Sequence, residues 1–358
     1  MLKNFIVLLL SIFLFTGCGV NKNQEVIDFY SWGSVTEVKI LKQIISDFER
    51  ENKNIKINFV HVPQNYFQKI HLLFASNTPP DVLFINNLYL PIYASKLANL
   101  SMFIDKEEYY LQSISGLSYE GKILAFPRDI SNLVLYVNLD MTGDIPCDWT
   151  IEDFLKIAQN STKDKKWGVS FEEDFYYVLP FLSYFGESFG EEFTYKKSKG
   201  FNFYKDLRDR YKVAPRKSQV GSSTLAQMFL DEKIAMYISG RWMYPKIKEK
   251  AKFNWKVYSL PIGVNPLSCD CSGWAISKDS KHKKIAIEFA RYLSSQKSAD
   301  FFVQTGLIVP ARKKASFYIN NTEYGEKTFI EIINKSQNTN VIKNYKKLID
   351  KINLVLQE

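Results

Sequence analysis

The chain has 358 residues, 46% of them hydrophobic and 24% charged, the profile of a globular protein too long for one ordinary core. Its formal charge of +9 is scattered over 163–166, 246–252 and 281–284, not gathered into a stripe, which argues against nucleic acid as a partner and for a solvated surface. Aromatic residues reach 15%, enough to fill two cores and still line a pocket for a flat or amphipathic ligand.

The first 18 residues read as an export signal. Lys3 precedes an apolar run over 5–15, interrupted only by Ser11 and closed by Thr16-Gly17-Cys18. The run is too short to span a bilayer, which needs about 20 apolar residues. Phe15-Thr16-Gly17-Cys18 resembles a bacterial lipobox, which implies a signal peptide over 1–17, a diacylated Cys18 and a lipidated tether over 18–24. Two acyl chains give durable anchoring. The expected location is the cell membrane, lipid-anchored, facing the periplasm or the cell exterior.

From there strands and helices alternate. Residues 25–32 read as a strand. Val35, Val38, Leu41, Ile44, Ile45 and Phe48 recur at helical spacing, and Ile55, Ile57 and Phe59 alternate as a strand does. Tyr66, Ile70, Leu73 and Phe74 mark a second helix, stopped before Pro79-Pro80, and 81–85 is a short buried strand. This order predicts a mainly parallel sheet covered on both faces. A strand follows at 133–137, and Thr150 opens a capped helix. Strands are expected at 167–171, 234–238, 254–260 and 274–277. Helices are expected at 175–185, 225–230, 241–250 and 285–293, and over the tail 323–356. Pro180 makes the boundary of the 175–185 helix uncertain. Besides Cys18 there are Cys147, Cys269 and Cys271. Cys269-Asp270-Cys271 has neither the C-x₂-C spacing nor a nearby His, so structural thiols or one disulfide to Cys147 are favoured over a metal. No metal and no cofactor are expected.

The order of several segments resembles a known family, the extracellular solute-binding proteins of bacterial ABC importers, in the sugar-binding group related to maltose-binding protein. The resemblance rests on Tyr30-Ser31-Trp32-Gly33, on Pro79-Pro80-Asp81-Val82, and on Gly121 to Pro127 followed by Leu135-Tyr136-Val137-Asn138. It continues through Trp149 to Phe154, Ala235-Met236 with Gly240-Arg241-Trp242, Ser272-Gly273-Trp274, and Gly306 to Arg312. Val137 stands where the family more often has Tyr, and cysteines 269 and 271 are unusual. The resemblance implies an α/β fold, periplasmic-binding-protein-like type II: two lobes, a ligand cleft and three chain crossings, near Asp129, Ser272 and Pro310. Residues 25–129 and 272–310 would form the N-terminal lobe, and 130–271 and 311–358 the C-terminal lobe. It further implies a carbohydrate ligand, an ABC permease as membrane partner, a monomer, and no enzymatic activity.

A sugar presents apolar C–H faces ringed by hydroxyls, so its site needs aromatic platforms and polar groups that replace water. The candidates are Trp242 as stacking platform beside Gly240, then Ser31, Trp32, Asn86 and Asn87 at strand ends, Asp129 and Ser131 at the hinge, Asp174 and Tyr176 on a helix, and Trp274 at the crossover. Each has an ordinary structural alternative: a cap, a turn or a core position. Arg128 is read as a partner of Asp129, and Arg241 and Arg312 as charged-donor candidates. No G-x-S-x-G, P-loop or G-x-G-x-x-G occurs, and the 3 His lack metal spacing. Two alternatives stay open: the same fold binding a polyamine or ferric ion, the latter suggested by Tyr176-Tyr177, or a secreted glycosidase with paired carboxylates.

Overall fold

The computed structural model describes residues 24–146, 148–190, 192–319, 322–339 and 345–357. The signal segment, Cys18 and Cys147 lie outside them. No helix among the described residues is long and apolar enough to cross a membrane.

The strands, in chain order, are β1 (Glu25–Ser31), β2 (Ile55–His61), β3 (Val82–Asn86), β4 (Ser118–Tyr119), β5 (Lys122–Ile123), β6 (Ala125–Asn132), β7 (Val134–Asn138), β8 (Trp167–Ser170), β9 (Ile234–Ser239), β10 (Trp255–Tyr258), β11 (Leu267–Ile276), β12 (Val309–Pro310) and β13 (Ser336–Asn338). They build two main sheets. The first runs β12-β6-β11-β3-β1-β2 with β13 against β11, and the second runs β10-β7-β9-β8. β1 pairs parallel with β2 and β3, because helices α1 (Val35–Glu51) and α2 (Tyr66–Ala75) form the crossovers, but β11 runs antiparallel to β3 and β6, so the sheet is mixed and not mainly parallel as expected. Ser34 caps α1 in a reciprocal box with Glu37. Ile40, Leu41, Ile44, Ile45 and Phe48 bury the inner stripe of α1. Val35, expected on that stripe, is exposed, because it stands at the first helical position beside the cap.

The expected helix over 175–185 is two pieces, a 3₁₀ turn Phe175–Tyr177 and a helix Leu179–Tyr184. Pro180 explains the break: it sits in the first turn of the second piece, where its missing N–H costs nothing.

The chain leaves the first sheet at the end of β6 and enters the second at β7, with only Leu133 between them. It returns between β10 and β11. The three points expected as crossings are neighbours in one register row, since Pro310 and Ser272 both pair with Asp129, and Ser272 also pairs with Asn86. β6 and β11 stay paired beyond that row, as far as Asn132 opposite Cys269. The divisions expected at 129/130 and 271/272 therefore fall inside paired strands. The segment after β12 visits both sheets: Ala311 N–H donates to Arg128 O, Val257 N–H donates to Tyr324 O, and β13 joins β11. The last helix, Tyr345–Gln357, buries Ile352 and Leu356 in the core of the second lobe.

Candidate functional site

Between the lobes lies a cleft of about 780 Å³. The first sheet supplies one wall from the ends of its strands, where open α/β sheets bind ligands. Trp32 follows β1 and is 50% exposed, its ring edge-on to Phe84 at 5.8 Å. Asn86 ends β3 and accepts from Tyr89 N–H at 3.1 Å, which forms the turn while keeping its side chain at the cleft. β6 contributes Arg128, Asp129 and Ser131, and β11 contributes Asp270 and Ser272.

A β-bulge aims Arg128. Ser272 stands opposite Asp129 but Gly273 opposite Pro127, so Arg128 is the extra residue on β6. Gly273 permits this approach, because a Cβ there would lie 2.4 Å from Phe126 O. The Arg128 side chain is 8% exposed and reaches Asp129 Oδ2 at 3.0 Å and Glu37 Oε1 at 2.5 Å, with its guanidinium 4.8 Å from the Phe302 ring centre. The other Asp129 oxygen accepts from Ser272 N–H at 3.1 Å and from its hydroxyl. Burial pushes the Glu37 carboxyl up, but Arg128 and the two donors of Ser34 more than offset it and hold it below its ordinary range. At Asp129 burial wins, and its carboxyl lies above the ordinary range despite Arg128 and Ser272.

The second lobe supplies the facing wall. Asp174 caps the turn Phe175–Tyr177, and its two oxygens accept from Tyr176 N–H and Asn353 Nδ2. The Tyr176 hydroxyl points across to Ser131 O at 3.4 Å. Trp242 follows β9 in a 3₁₀ turn and is 38% exposed. Its ring folds back over Gly240, where a Cβ would fall 1.9 Å from Cζ3. Arg241 turns away from the cleft's centre, donating to Ile308 O at 3.0 Å and pairing with Glu326.

The cleft thus brings together Trp32, Asn86, Asp129, Ser131, Asp174, Tyr176 and Trp242 from the expected set. Four other expected residues stand behind its surface. Ser31 is fully buried and donates to Trp32 O at 2.9 Å, so it shapes the loop. Asn87 is buried and braces β11. Gly240 lies under the Trp242 ring. Trp274 is 0% exposed, edge-on to Phe29 at 5.4 Å and Phe84 at 6.0 Å, beneath Arg128; it is core under the cleft floor, not a lining residue. Arg312 is bound elsewhere, to Glu108 at 2.8 Å.

Sequence reasoning missed Glu37, Tyr89 and Asp270 as cleft residues. Ser34 followed three residues later by Glu37 is a legible capping box, but its second role toward Arg128 depends on a strand distant in sequence. Asp270 was hidden by its cysteine neighbours. Cys269 and Cys271 are free buried thiols, pushed up by burial, and the expected disulfide partner Cys147 lies outside the described residues. Among the described residues no group of three or more His, Cys, Asp or Glu is placed to hold a metal ion.

The model of the bacterial extracellular solute-binding protein family matches residues 43–324. The maltodextrin-binding protein MdxE of Bacillus subtilis is 30% identical over 248 residues, 62% of this chain and 57% of that protein. A maltooligosaccharide ABC transporter solute-binding lipoprotein of Streptococcus pneumoniae is 26% identical over 251 residues, 63% of this chain and 55% of its own length. The chain thus spans little more than half the length of the curated relatives it matches. Two solved structures share the fold. A Listeria monocytogenes ABC substrate-binding protein in complex with cycloalternan has TM-score 0.82 and 22% identity, with 93% of each chain covered. The maltotriose-binding protein of Thermus thermophilus has TM-score 0.74 and 20% identity, covering 92% of this chain and 93% of that one. With a family model spanning most of the chain and the two-lobed α/β architecture on which it rests, the chain belongs to the bacterial extracellular solute-binding proteins.

Proposed function

We propose that this protein is the substrate-binding lipoprotein of an ABC importer, capturing a sugar or oligosaccharide in its cleft and delivering it to a membrane permease. The observation that carries this reading is the half-exposed Trp242 ring facing a wall of amide, hydroxyl and carboxylate groups. An indole covers an apolar sugar face, and acceptors such as Asp129 and Asn86 replace the water around its hydroxyls. The names of the maltodextrin and maltooligosaccharide relatives favour an α-glucan oligomer. The lobes act as two bodies that close over the ligand about the row Pro310–Asp129–Ser272, with residues 25–132 on one side and 134–258 on the other. Binding involves no chemistry on the sugar.

A ferric site of paired tyrosines is disfavoured. Tyr176 and Tyr177 stand at 87° to each other, and Tyr177 is buried in the lobe core. Polyamine binding and glycoside hydrolysis are the outcomes to be tested against. In a thermal-shift panel of maltotriose, cellotriose, spermidine and ferric citrate, maltotriose should raise the melting temperature, by about 2.7 kcal/mol of mass action at a hundredfold excess over Kd. A shift with spermidine or iron alone refutes the sugar reading, and release of reducing ends from maltotriose refutes binding without chemistry.

Lipid anchoring at Cys18, with delivery to the outer face of the membrane, rests on the segment Phe15-Thr16-Gly17-Cys18. The assay is mass spectrometry of the mature N-terminus. An unmodified Cys18 there would rule the anchor out.

A further inference from the structure

Four carboxylates line the cleft: Glu37, Asp129, Asp174 and Asp270. Three are already committed to the protein. Glu37 and Asp129 hold Arg128 and their own backbone or hydroxyl donors, and Asp174 spends one oxygen on Tyr176 N–H and the other on Asn353. Asp270 differs. Among the described residues it has no cationic partner, and its Oδ1 accepts from Asn87 Nδ2 at 3.1 Å.

That one bond is fixed in direction. Asn87 N–H donates to Cys271 O at 3.0 Å, and Asn87 Oδ1 accepts from Cys271 N–H at 3.0 Å. With its oxygen so occupied, the side-chain amide has only its NH₂ to turn toward Asp270. The carboxylate is thereby held on β11 at the cleft surface, opposite Ser131 in register. Tyr176, from the other lobe, lies close enough that the Asp270 charge adds to the burial which pushes its hydroxyl up.

We propose that Asp270 is a specificity-determining ligand contact: ionised, it accepts a hydroxyl of the saccharide, and protonation loosens that grip. The proposal rests on the saccharide reading given above. A half-buried carboxylate without a cation is an unfavourable arrangement for the empty protein, and a ligand hydroxyl relieves it. Burial, only partly offset by the Asn87 amide and the Thr339 hydroxyl, pushes its carboxyl up to about 6. Most of the groups that face it keep their charge state. Cys269 and Cys271 on its own strand and Tyr176 across the cleft are pushed up by burial and stay neutral, and Arg128 on β6 stays charged. Asp129, also on β6, is raised as well but tied to Arg128 and Ser272, and it is present in both wild type and Asp270→Asn, so comparing the two separates its contribution from that of Asp270.

The experiment is calorimetric titration of the full chain with maltotriose. Between about pH 8 and about pH 5 the wild type should lose about tenfold in affinity, since only about one molecule in ten then carries the ionised acid. Asp270→Asn should bind about tenfold weaker than wild type at about pH 8 and show no such pH dependence. Near pH 6 the wild type should release a fraction of a proton on binding, read by repeating the titration in two buffers of different ionisation enthalpy. That measurement needs no variant and decides the matter even if Asp270→Asn folds poorly. Maltotriose that binds with no proton release, or an Asn variant with wild-type affinity and pH profile, would overturn the role of Asp270 alone. If maltotriose does not bind the wild type at all, the saccharide reading fails, and this proposal with it.

Discussion

Gly240→Ala adds one methyl group and should cost the protein its grip on ligand. The backbone at Gly240 is extended, φ −97° and ψ −177°, so alanine meets no conformational penalty there. The effect comes from the ring above. A Cβ would sit 1.9 Å from Trp242 Cζ3, 2.2 Å from Cη2 and 2.3 Å from Cε3. Carbon atoms in contact rest about 3.5–4.0 Å apart, so the indole must swing out by roughly 1.5–2 Å or more. If it is the stacking platform, that displacement removes a contact worth at least about 2 kcal/mol, about thirtyfold in Kd. The fold should survive. Trp242 is already 38% exposed, so even swinging fully out forfeits no more than about 150 Å² of contact, an upper bound of about 4 kcal/mol. Tyr136 still donates to Gly240 O at 2.9 Å. The assay is maltotriose titration beside thermal melting, with Trp242→Ala in parallel. Matching losses of affinity in two folded variants are expected. Wild-type binding by Gly240→Ala, with binding lost in Trp242→Ala, would refute the seating of the ring over Gly240. Wild-type binding by both would move the platform to Trp32. Unfolding of Trp242→Ala would make that residue core.

Arg128→Met should destabilise by about 3–5 kcal/mol at neutral pH, because it strands the carboxylates of Glu37 and Asp129 in a buried place. The gap to wild type should narrow as pH falls: the wild type loses the stability that its lowered Glu37 gives above 4.5, and the variant's stranded acids become neutral. A gap constant with pH in chemical denaturation would contradict the network. Asp270→Asn should act oppositely on stability. The folded carboxyl is raised to about 6 from 3.8, so the folded state holds the proton more tightly and stability falls as pH climbs through that window. The Asn variant should therefore melt above wild type at about pH 8, by about 2–3 kcal/mol, and level with it near pH 4. A variant no more stable at high pH would count against a strained acid. Maltotriose should also shrink the radius of gyration in small-angle scattering, and an unchanged profile at saturation would argue against closure about the hinge.

Much of this was legible in sequence because it depends on local pattern. The β1-α1-β2-α2-β3 order, the cap at Thr150 and the glycine before Trp242 all follow from neighbours a few residues apart. Seven of the expected residues line the cleft, and Trp32, Asn86 and Trp242 do so because they lie at strand ends or just beyond. The failures have a different cause. Trp274 and Trp242 are both tryptophans beside a glycine, yet one packs against Phe29 and Phe84 and the other faces the cleft. What separates them is place: Trp274 lies within β11 and turns into the core, whereas Trp242 stands in the turn beyond β9, and neighbouring residues do not distinguish the two. Asn87 likewise reads as a turn residue, and only its distance of 184 positions from Cys271 hides that it is a brace.

The bulge also connects binding to motion. Arg128 is the residue squeezed out of the β6–β11 pairing, and its carbonyl accepts Ala311 N–H just past β12. Its guanidinium ties the first turn of α1, through Glu37, to the acid of the hinge row, and Asp129 passes that tie to Ser272 on the returning strand. One buried cation therefore holds two of the crossing strands and the rim helix together at the floor of the cleft. Asp129 and Asn86, which line the cleft, share a register row with the proposed hinge points. A rotation about that row would change the distance between Trp242 and the opposite wall while displacing the row itself very little. Under the proposed function the first lobe would hold a sugar's hydroxyls in a preformed polar site. On that proposal the aromatic face would arrive on closure, and the closed state would gain a contact that the open state lacks, which is the condition for ligand to shift the equilibrium.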